Sequence, residues 1–301
     1  MESKCGNPSA GHEARSPASG LGDWPSADTA HHLITDQGVD ARKGQCLPWG
    51  LDPEFEARLA APHQTALPRG FPECAQIILT VSRWDPADRY KGGDTLIAAL
   101  LQAVPEAFLV LVGGGKDRPR LEQLAQDLGI SDHTRFLHAL TQDELFACYS
   151  NCELFVLPSR GEGFGLVYLE AMAYGKRVIG GADGGALDLI EDGVTGWLVP
   201  HGDIDRLRAA LEFLLANPRR AAEMGARGKD RLARKFSFEQ SRTQLAHLLD
   251  DVITRSYLIN GFRPLQMNEL VAVGARNPFV SWVSVFPTLG LLEWYVRFSY
   301  L

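Results

Sequence analysis

The 301-residue sequence has few cysteines and no excess of positive charge. Its five cysteines are scattered along the chain: Cys5, Cys46, Cys74, Cys148 and Cys152. Their odd number and spacing support neither a disulfide framework nor a zinc site, so we interpret them as reduced thiols and expect no metal. The formal net charge is −7, whereas a general nucleic-acid-binding protein usually carries a basic excess on one face. We therefore expect no nucleic-acid partner, and an anionic substrate would need a local basic cluster.

The ends of the chain lack the patterns of a regular domain. Residues 1–45 are rich in Gly, Ser, Ala and Pro, without an apolar segment behind a basic start. They predict a poorly ordered leader, no secretory signal and a cytoplasmic protein. Residues 255–301 form an apolar tail to which we assign no function. Its uncharged part, 278–292, is shorter than the roughly 20 residues of a spanning helix, which leaves a peripheral membrane contact open.

Between these ends, in a domain from residue 46 to 254, short apolar segments alternate with longer amphipathic ones. The apolar segments predict six strands: 76–82, 107–113, 134–138, 153–158, 177–181 and 196–200. The amphipathic segments predict crossover helices: 93–103, 119–128, 142–149, 165–174 and 204–216. This alternation is typical of an α/β fold, a Rossmann-like doubly wound parallel sheet. Ligands bind beyond the carboxyl ends of such strands, so functional residues are expected there.

Cations and glycines follow the first two predicted strands. Arg83 and Lys91 lie after the first strand and before a helix, where helix-start N–H groups also favour an anion. A solvated charged loop is the alternative interpretation. The second strand continues into GGGKD, residues 113–117, which lacks the third glycine of a dinucleotide-binding loop because Arg118 stands there. Gly114 in this loop either shapes a tight turn or lets the backbone approach a ligand.

The longest motif is PSRGEGFGLVYLEAMAYG, residues 158–175, which predicts a strand end, a glycine loop and a helix. Glu162 lies in the loop and Glu170 in the helix, and both can face one crevice. Carboxylates accept hydrogen bonds from neutral hydroxyls, so carboxylates beside cations suit a nucleoside diphosphate sugar. A second glycine loop, GGADGG at residues 180–185, follows the next strand and could wrap the same phosphate. Chance surface glutamates and an ordinary tight turn are the alternatives.

In their order and spacing, these pieces resemble glycosyltransferase family 4 (group 1) from about residue 47 to 250: SR, RYKG, VGGG, PSRxEGFGLVxLEAMAxG, GG and DGxTGWLV. Glu162 and Glu170 carry most of the resemblance. The family has a GT-B fold of two Rossmann-like halves, and the resemblance covers its C-terminal, donor-binding half. We therefore expect an N-terminally truncated enzyme and a partner that supplies the acceptor domain. Asp188 stands where the family usually has Glu.

The resemblance implies retaining transfer from a nucleoside diphosphate sugar to a saccharide or lipid-linked acceptor, without cofactor or metal. It implies that Arg83 and Lys91 hold the diphosphate, that Glu162 contacts the transferred sugar and that Glu170 accepts hydrogen bonds from the ribose. The remaining expected donor-binding residues are Gly114, His138, Ala139, Leu140, Phe164, Gly165, Leu166, Gly184 and Gly185. Two alternatives share this phosphate chemistry: a non-catalytic nucleotide-sugar-binding module, and a GT-B epimerase or phosphorylase.

Overall fold

The computed structural model of the chain describes residues 22–41, 44–59, 67–72, 76–103 and 107–260. Its strands are β1 (Gly22–Trp24), β2 (Gly44–Cys46), β3 (Gln76–Val81), β4 (Ala107–Val112), β5 (Thr134–Leu137), β6 (Leu154–Leu157), β7 (Arg177–Gly181) and β8 (Trp197–Val199). The last six form one parallel sheet in the order β5-β4-β3-β6-β7-β8, and β1 pairs in parallel with β2. The predicted Rossmann-like doubly wound sheet is confirmed. Its strand order reverses between β3 and β6.

Helices cover both faces of this sheet, with α3, α4 and α8 on one face and α5 and α6 on the other. The helices of the described ranges are α1 (Ala27–Thr35), α2 (Pro53–Leu59), α3 (Gly93–Ala103), α4 (Arg118–Asp127), α5 (Gln142–Asn151), α6 (Leu166–Ala173), α7 (Ala186–Leu189), α8 (Ile204–Ala216), α9 (Pro218–Lys235) and α10 (Phe238–Asn260). The predicted bounds of α3 and α8 agree with the structure, and those of α4, α5 and α6 differ by at most two residues at an end.

Two apolar clusters, one on each face of the sheet, form the core. Ile77 and Leu79 of β3 belong to the cluster that includes α5 and α6. Ile78 between them belongs to the cluster that includes α3, α4 and α8. This alternation follows from the period of two residues in a strand. Cys148 and Cys152 lie in the first cluster, and burial raises the pKa of each thiol to about 12, as expected of packed, reduced thiols.

The sequence analysis omitted α9 because small residues make much of its buried face. A Cβ atom at Gly225 would lie 2.1 Å from the carbonyl oxygen of Gly175, so glycine permits the close approach of α9 to α6. Gly228 is buried as well. Amphipathic helices are found by large apolar residues at helical spacing, and α9 has only Met224 and Leu232 on that face.

Part of the segment that was expected to be a poorly ordered leader has regular secondary structure, beginning at Gly22. β1, α1 and β2 form a strand–helix–strand unit there, whereas residues 1–21 lie outside the described part of the chain. Ser26 is the N-cap of α1, and its hydroxyl accepts a hydrogen bond of 3.0 Å from the amide of Thr29. A serine before a short apolar pattern is a helix-start signal, which the Gly, Ser and Pro content of the segment obscured.

The expected apolar tail begins within a helix, because α10 continues to Asn260. Residues 261–301, including the apolar stretch 278–292, lie outside the described residues. Within the described ranges, no helix is both long and apolar enough to cross a membrane.

Candidate functional site

Several of the expected site residues lie where the strand order of the sheet reverses, whereas Gly114 follows β4 and residues 138–140 follow the edge strand β5. Arg83 and Lys91 belong to the loop after β3, and Glu162 belongs to the loop after the neighbouring strand β6. The amide of Arg160 donates a hydrogen bond of 2.8 Å to the carbonyl oxygen of Tyr90, which joins the two loops. Open α/β sheets bind ligands in the crevice at such a reversal.

Gly92 lets the loop after β3 lie directly on the end of β6. It ends the 3-10 helix Pro86–Lys91 with a φ of 78°, a conformation that favours glycine. A Cβ atom at this position would lie 2.6 Å from the carbonyl oxygen of Pro158. This close approach brings Lys91, the residue before the glycine, beside the loop of Glu162.

Lys91 and Glu162 form an ion pair between the two loops. Lys91 Nζ lies 2.5 Å from Glu162 Oε2, and each side chain is 15% exposed. The same ammonium lies over the ring of Tyr90, 4.9 Å from its centroid. One side of the crevice therefore presents a cation and a carboxylate together.

Arg83 is held by Asp88, a carboxylate that the sequence analysis did not single out. Arg83 Nε donates to Asp88 Oδ2 at 2.6 Å, and Arg83 Nη2 donates to Asp88 Oδ1 at 3.2 Å. Asp88 is 5% exposed, whereas the Arg83 side chain is 60% exposed. The hydrogen bonds from Arg83 hold the pKa of Asp88 below its ordinary value. The pair fixes one edge of the guanidinium and leaves most of the side chain accessible.

The glycine loop after β6 turns directly into α6. Gly165 is the N-cap of the helix and has a φ of 94°. Phe164 is 3% exposed, and its ring packs against other aromatic rings. The N–H groups of the first turn of α6, which begins at Leu166, have no helical partner four residues earlier. Of the three expected residues, Phe164 and Gly165 are buried and Leu166 is half-buried.

The second glycine loop packs on the first. A Cβ atom at Gly184 would lie 2.6 Å from the backbone N and O atoms of Glu162, and one at Gly185 would lie 2.5 Å from Cα of Phe164. The amide of Gly185 donates to the carbonyl oxygen of Glu162 at 2.5 Å. Because this amide is engaged by the protein itself, any ligand contact of the second loop would come from other atoms.

Glycines after β4 allow that loop to pack on the loop after β3. Cβ atoms at Gly113 and Gly115 would lie 1.8 Å and 2.0 Å from the carbonyl oxygens of Ser82 and Trp84. A Cβ atom at Gly114 would have nothing within 4 Å. The tight-turn interpretation therefore fits Gly113 and Gly115, whereas Gly114 borders open space.

Glu170 lies in α6 and is 8% exposed. The hydroxyl of Tyr149 in α5 donates a hydrogen bond of 2.6 Å to its Oε2 atom. The ring of Tyr149 stacks on that of Tyr174, with an interplanar angle of 7°. Burial raises the pKa of Tyr174 to about 12, and the charge of Glu170 adds to this shift. Glu170 is therefore a buried carboxylate with a fixed orientation.

The loop after β5 contains an unusual backbone conformation. Ala139 has a φ of 52° and is the one non-glycine residue with a positive φ in the described ranges. This conformation is uncommon for alanine, and such strain is frequent at functional sites. His138 and Ala139 are exposed, and Leu140 is half-buried before Thr141 caps α5. The loop leaves the same edge of the sheet as those after β3 and β6.

The sequence model of the glycosyl transferases group 1 family matches residues 68–231. The chain belongs to the group 1 glycosyl transferases. It is 37% identical over 183 residues to a GDP-mannose-dependent alpha-(1-6)-phosphatidylinositol monomannoside mannosyltransferase of Mycolicibacterium smegmatis, covering 58% of this chain and 47% of that protein. It is 36% identical over 230 residues to a D-inositol 3-phosphate glycosyltransferase of Geodermatophilus obscurus, covering 72% of this chain and 49% of that protein. The chain thus spans about half the length of these relatives.

Solved structures of other proteins have folds similar to that of this group 1 glycosyl transferase chain. Sucrose-phosphate synthase from Thermosynechococcus elongatus matches with a TM-score of 0.65 and 30% identity, covering 77% of this chain and 58% of that one. HepE of Anabaena in complex with UDP-glucose matches with a TM-score of 0.65 and 25% identity, covering 77% of this chain and 64% of that one. These neighbours confirm the fold expected for the C-terminal half of a GT-B glycosyltransferase.

The sequence analysis missed that α1 of this glycosyl transferase chain contacts the first glycine loop and α7, the short helix that follows the second glycine loop. The amide of Ala27, at the start of α1, donates a hydrogen bond of 2.6 Å to Asp188 Oδ2. The hydroxyl of Thr29 donates one of 3.3 Å to the carbonyl oxygen of Gly163. Asp188, the position that departs from the family pattern, therefore anchors α1 beside the crevice. The N-cap at Ser26 was the one sequence signal for this helix.

Proposed function

We propose that the chain binds a nucleoside diphosphate sugar at the ends of β3 and β6 and supplies the donor-binding part of a retaining glycosyltransferase. The observation that carries this proposal is the contact of Lys91 with Glu162 in the glycine loop after β6, with Arg83 in the same loop as Lys91 and 60% exposed. Cations and helix-start amides suit a diphosphate, and carboxylates suit sugar hydroxyls. A relative named for GDP-mannose and neighbours solved with UDP or UDP-glucose support the same class of ligand.

In the proposed reaction, Arg83 and Lys91 hold the diphosphate. The bond between the anomeric carbon and the diphosphate oxygen breaks, the electron pair goes to the diphosphate, and both cations stabilise its charge. An acceptor hydroxyl forms a bond to the anomeric carbon on the face from which the diphosphate departs, and its proton goes to the departing diphosphate oxygen. Configuration is thereby retained. The scheme uses no metal ion, and the described ranges contain no group of three His, Cys, Asp or Glu side chains that could hold one.

The remaining proposed contacts follow from the position of each loop. Glu162 accepts hydrogen bonds from the sugar, and Glu170, fixed by Tyr149, accepts them from the ribose. The amides that open α6 meet the sugar or the distal phosphate. The strained loop from His138 to Leu140 borders the base. Backbone contacts to the phosphates complete the set at Gly114 and in the second glycine loop, where Gly184 and Gly185 lie.

The acceptor is proposed to be a saccharide or a lipid-linked molecule. Relatives that act on phosphatidylinositol monomannoside or D-inositol 3-phosphate support this class. We propose that residues 46–254 form the donor domain and that acceptor contacts come from outside it, from a further domain or a partner. The alternative function is a non-catalytic nucleotide-sugar-binding module. Incubation of the chain with a labelled sugar donor distinguishes the two. The donor-binding part of an enzyme should slowly release labelled sugar to water, whereas a binding module should leave the donor intact.

A thermal-shift panel tests donor binding. The chain is incubated with UDP, GDP and ADP, with their sugars and with the matching nucleosides. A ligand that binds the folded state at 100 times its dissociation constant stabilises it by about 2.7 kcal/mol. We expect at least one diphosphate and its sugar to raise Tm and the nucleosides to leave it unchanged. A panel without any shift would exclude the proposed function.

A further inference from the structure

The two cations of the proposed diphosphate site have carboxylate partners of different kinds. Asp88 is buried and accepts hydrogen bonds from two nitrogens of Arg83. A guanidinium has five N–H donors, so Arg83 can keep Asp88 and still direct other donors to a phosphate. Glu162 has one contact with Lys91, and it lies in a loop rich in glycine. The second pair is therefore the one that a ligand can rearrange.

A diphosphate and Glu162 would compete for the same ammonium. Lys91 carries one compact charge on a flexible four-carbon stem, so its head can move a short distance without a change in the backbone. Two anions beside one cation repel each other, and the repulsion is stronger where side chains are mostly buried, as both are here. Lys91 cannot serve both anions equally well.

We propose that Lys91 exchanges its partner from Glu162 to the diphosphate when the donor binds, and that the released Glu162 carboxylate then accepts hydrogen bonds from the sugar. This inference rests on the proposed function and gives its steps an order. A nucleoside diphosphate without a sugar displaces Glu162 from Lys91 but has no sugar hydroxyls to donate hydrogen bonds to the released carboxylate. Glu162 therefore opposes the binding of the diphosphate product and supports that of the donor, which makes it a residue that distinguishes donor from product.

Calorimetric titration with UDP, GDP, UDP-glucose and GDP-mannose tests the exchange. Glu162→Gln removes the competing charge and keeps the shape of the side chain. We expect this variant to bind the diphosphate about three- to tenfold more tightly than the wild type, because the ammonium no longer has a carboxylate to leave and the phosphates no longer face its charge. We also expect it to lose the additional affinity that the wild type gains from the sugar. Glu162→Ala is expected to shift diphosphate affinity in the same direction.

Two further variants separate partner exchange from a general effect of charge. Asp88→Asn removes a negative charge beside the other cation, and since Asp88 orients Arg83, this variant is expected not to tighten binding. Glu153→Gln breaks a 2.6 Å pair with Arg177 at the opposite end of the strands and is expected to leave affinity unchanged. Thermal unfolding verifies that each variant is folded.

Equal or weaker binding of the diphosphate by Glu162→Gln overturns the exchange. So does a gain of the same size in Asp88→Asn or Glu153→Gln, since that gain reflects net charge. If the wild type binds none of the four ligands, the proposed function itself fails. The exchange is supported if Glu162→Gln and Glu162→Ala bind the diphosphate more tightly than the wild type and Asp88→Asn and Glu153→Gln do not.

Discussion

Tyr149 and Glu170 are joined by a hydrogen bond of 2.6 Å from the tyrosine hydroxyl to Oε2 of the carboxylate. Tyr149 is fully buried in α5, and Glu170 is nearly so in α6. A side chain that is already ordered loses less freedom when it binds a ligand. The hydrogen bond therefore prepares Glu170 for the ribose contact proposed for it.

Tyr149→Phe should weaken this preparation. We expect a loss of about 1–3 kcal/mol in the free energy of unfolding in urea, because Glu170 loses a buried donor. We also expect a smaller preference for UDP over 2′-deoxy-UDP in calorimetry. Tyr168→Phe is the matched control, since it removes a 2.6 Å hydrogen bond to the carbonyl oxygen of Leu157 and should keep the ribose preference. An unchanged ribose preference in Tyr149→Phe would exclude the positioning role.

Glu170→Gln should reduce the affinity for UDP more than that for 2′-deoxy-UDP, because the amide replaces one acceptor oxygen with a donor. Glu162→Gln should show no such preference and should instead change the difference between UDP and UDP-glucose. Titration of both variants with all three ligands measures these effects. The same pattern in the two variants would contradict the assignment of the ribose to one carboxylate and of the sugar to the other.

Asp88→Asn should lower the free energy of unfolding near neutral pH and make it depend less steeply on pH under acidic conditions. Arg83 holds the pKa of Asp88 below its ordinary value. Such a carboxyl stabilises the fold above its unfolded-state pKa, and this contribution is lost as the pH falls through its folded-state pKa. Between about pH 5 and about pH 2, the free energy of unfolding should therefore fall more in the wild type than in Asp88→Asn. Urea unfolding at a series of pH values measures the slopes, and equal slopes would argue against the pair.

Asp188→Ala should loosen the contact between α1 and α7. The amide of Ala27 loses its 2.6 Å acceptor, and loss of a side-chain acceptor at a helix start costs about 0.5–2 kcal/mol. Hydrogen exchange of the α1 amides should become faster. Asp192→Ala removes an acceptor for Leu198 in the adjacent loop and should leave α1 unchanged. Equal exchange in the wild type and Asp188→Ala would show that this contact does not hold the helix.

The sheet could be predicted because β-branched and leucine-rich segments such as Gln76–Val81 and Ala107–Val112 are short, apolar and separated by amphipathic helices. Because Arg83 and Lys91 follow one of these strands directly in the sequence, they could then be placed at the carboxyl ends of the strands. The sequence analysis missed α1, α2, α9 and α10. Of these, α1 depends on a single N-cap and α9 on small residues at a close contact. The hydrophobic pattern over a window of residues shows neither a single capping residue nor a close contact made by small residues.

The ion pairs could not be predicted from the sequence. The choice of Asp88 rather than Asp85 as the main partner of Arg83 depends on the turn of the 3-10 helix that follows. The contact between Lys91 and Glu162 depends on the glycine that lets two loops from different strands touch. Lys91 and Glu162 are 71 residues apart, and a separation of this kind along the chain gives no information about a contact in space.

Calorimetric titration of the double variant Arg83→Ala, Lys91→Ala with UDP, GDP, uridine and guanosine tests the central claim most directly. Both cations are proposed to contact the phosphates and neither to contact the nucleoside. A hydrogen bond to a charged group contributes about 1.5–3 kcal/mol, so the wild type should bind a diphosphate far more tightly than its nucleoside. The double variant should lose most of this preference and keep only the part that backbone contacts to the phosphates contribute. A double variant that keeps the wild-type preference for the diphosphate would contradict the account, because the phosphates would then lie elsewhere.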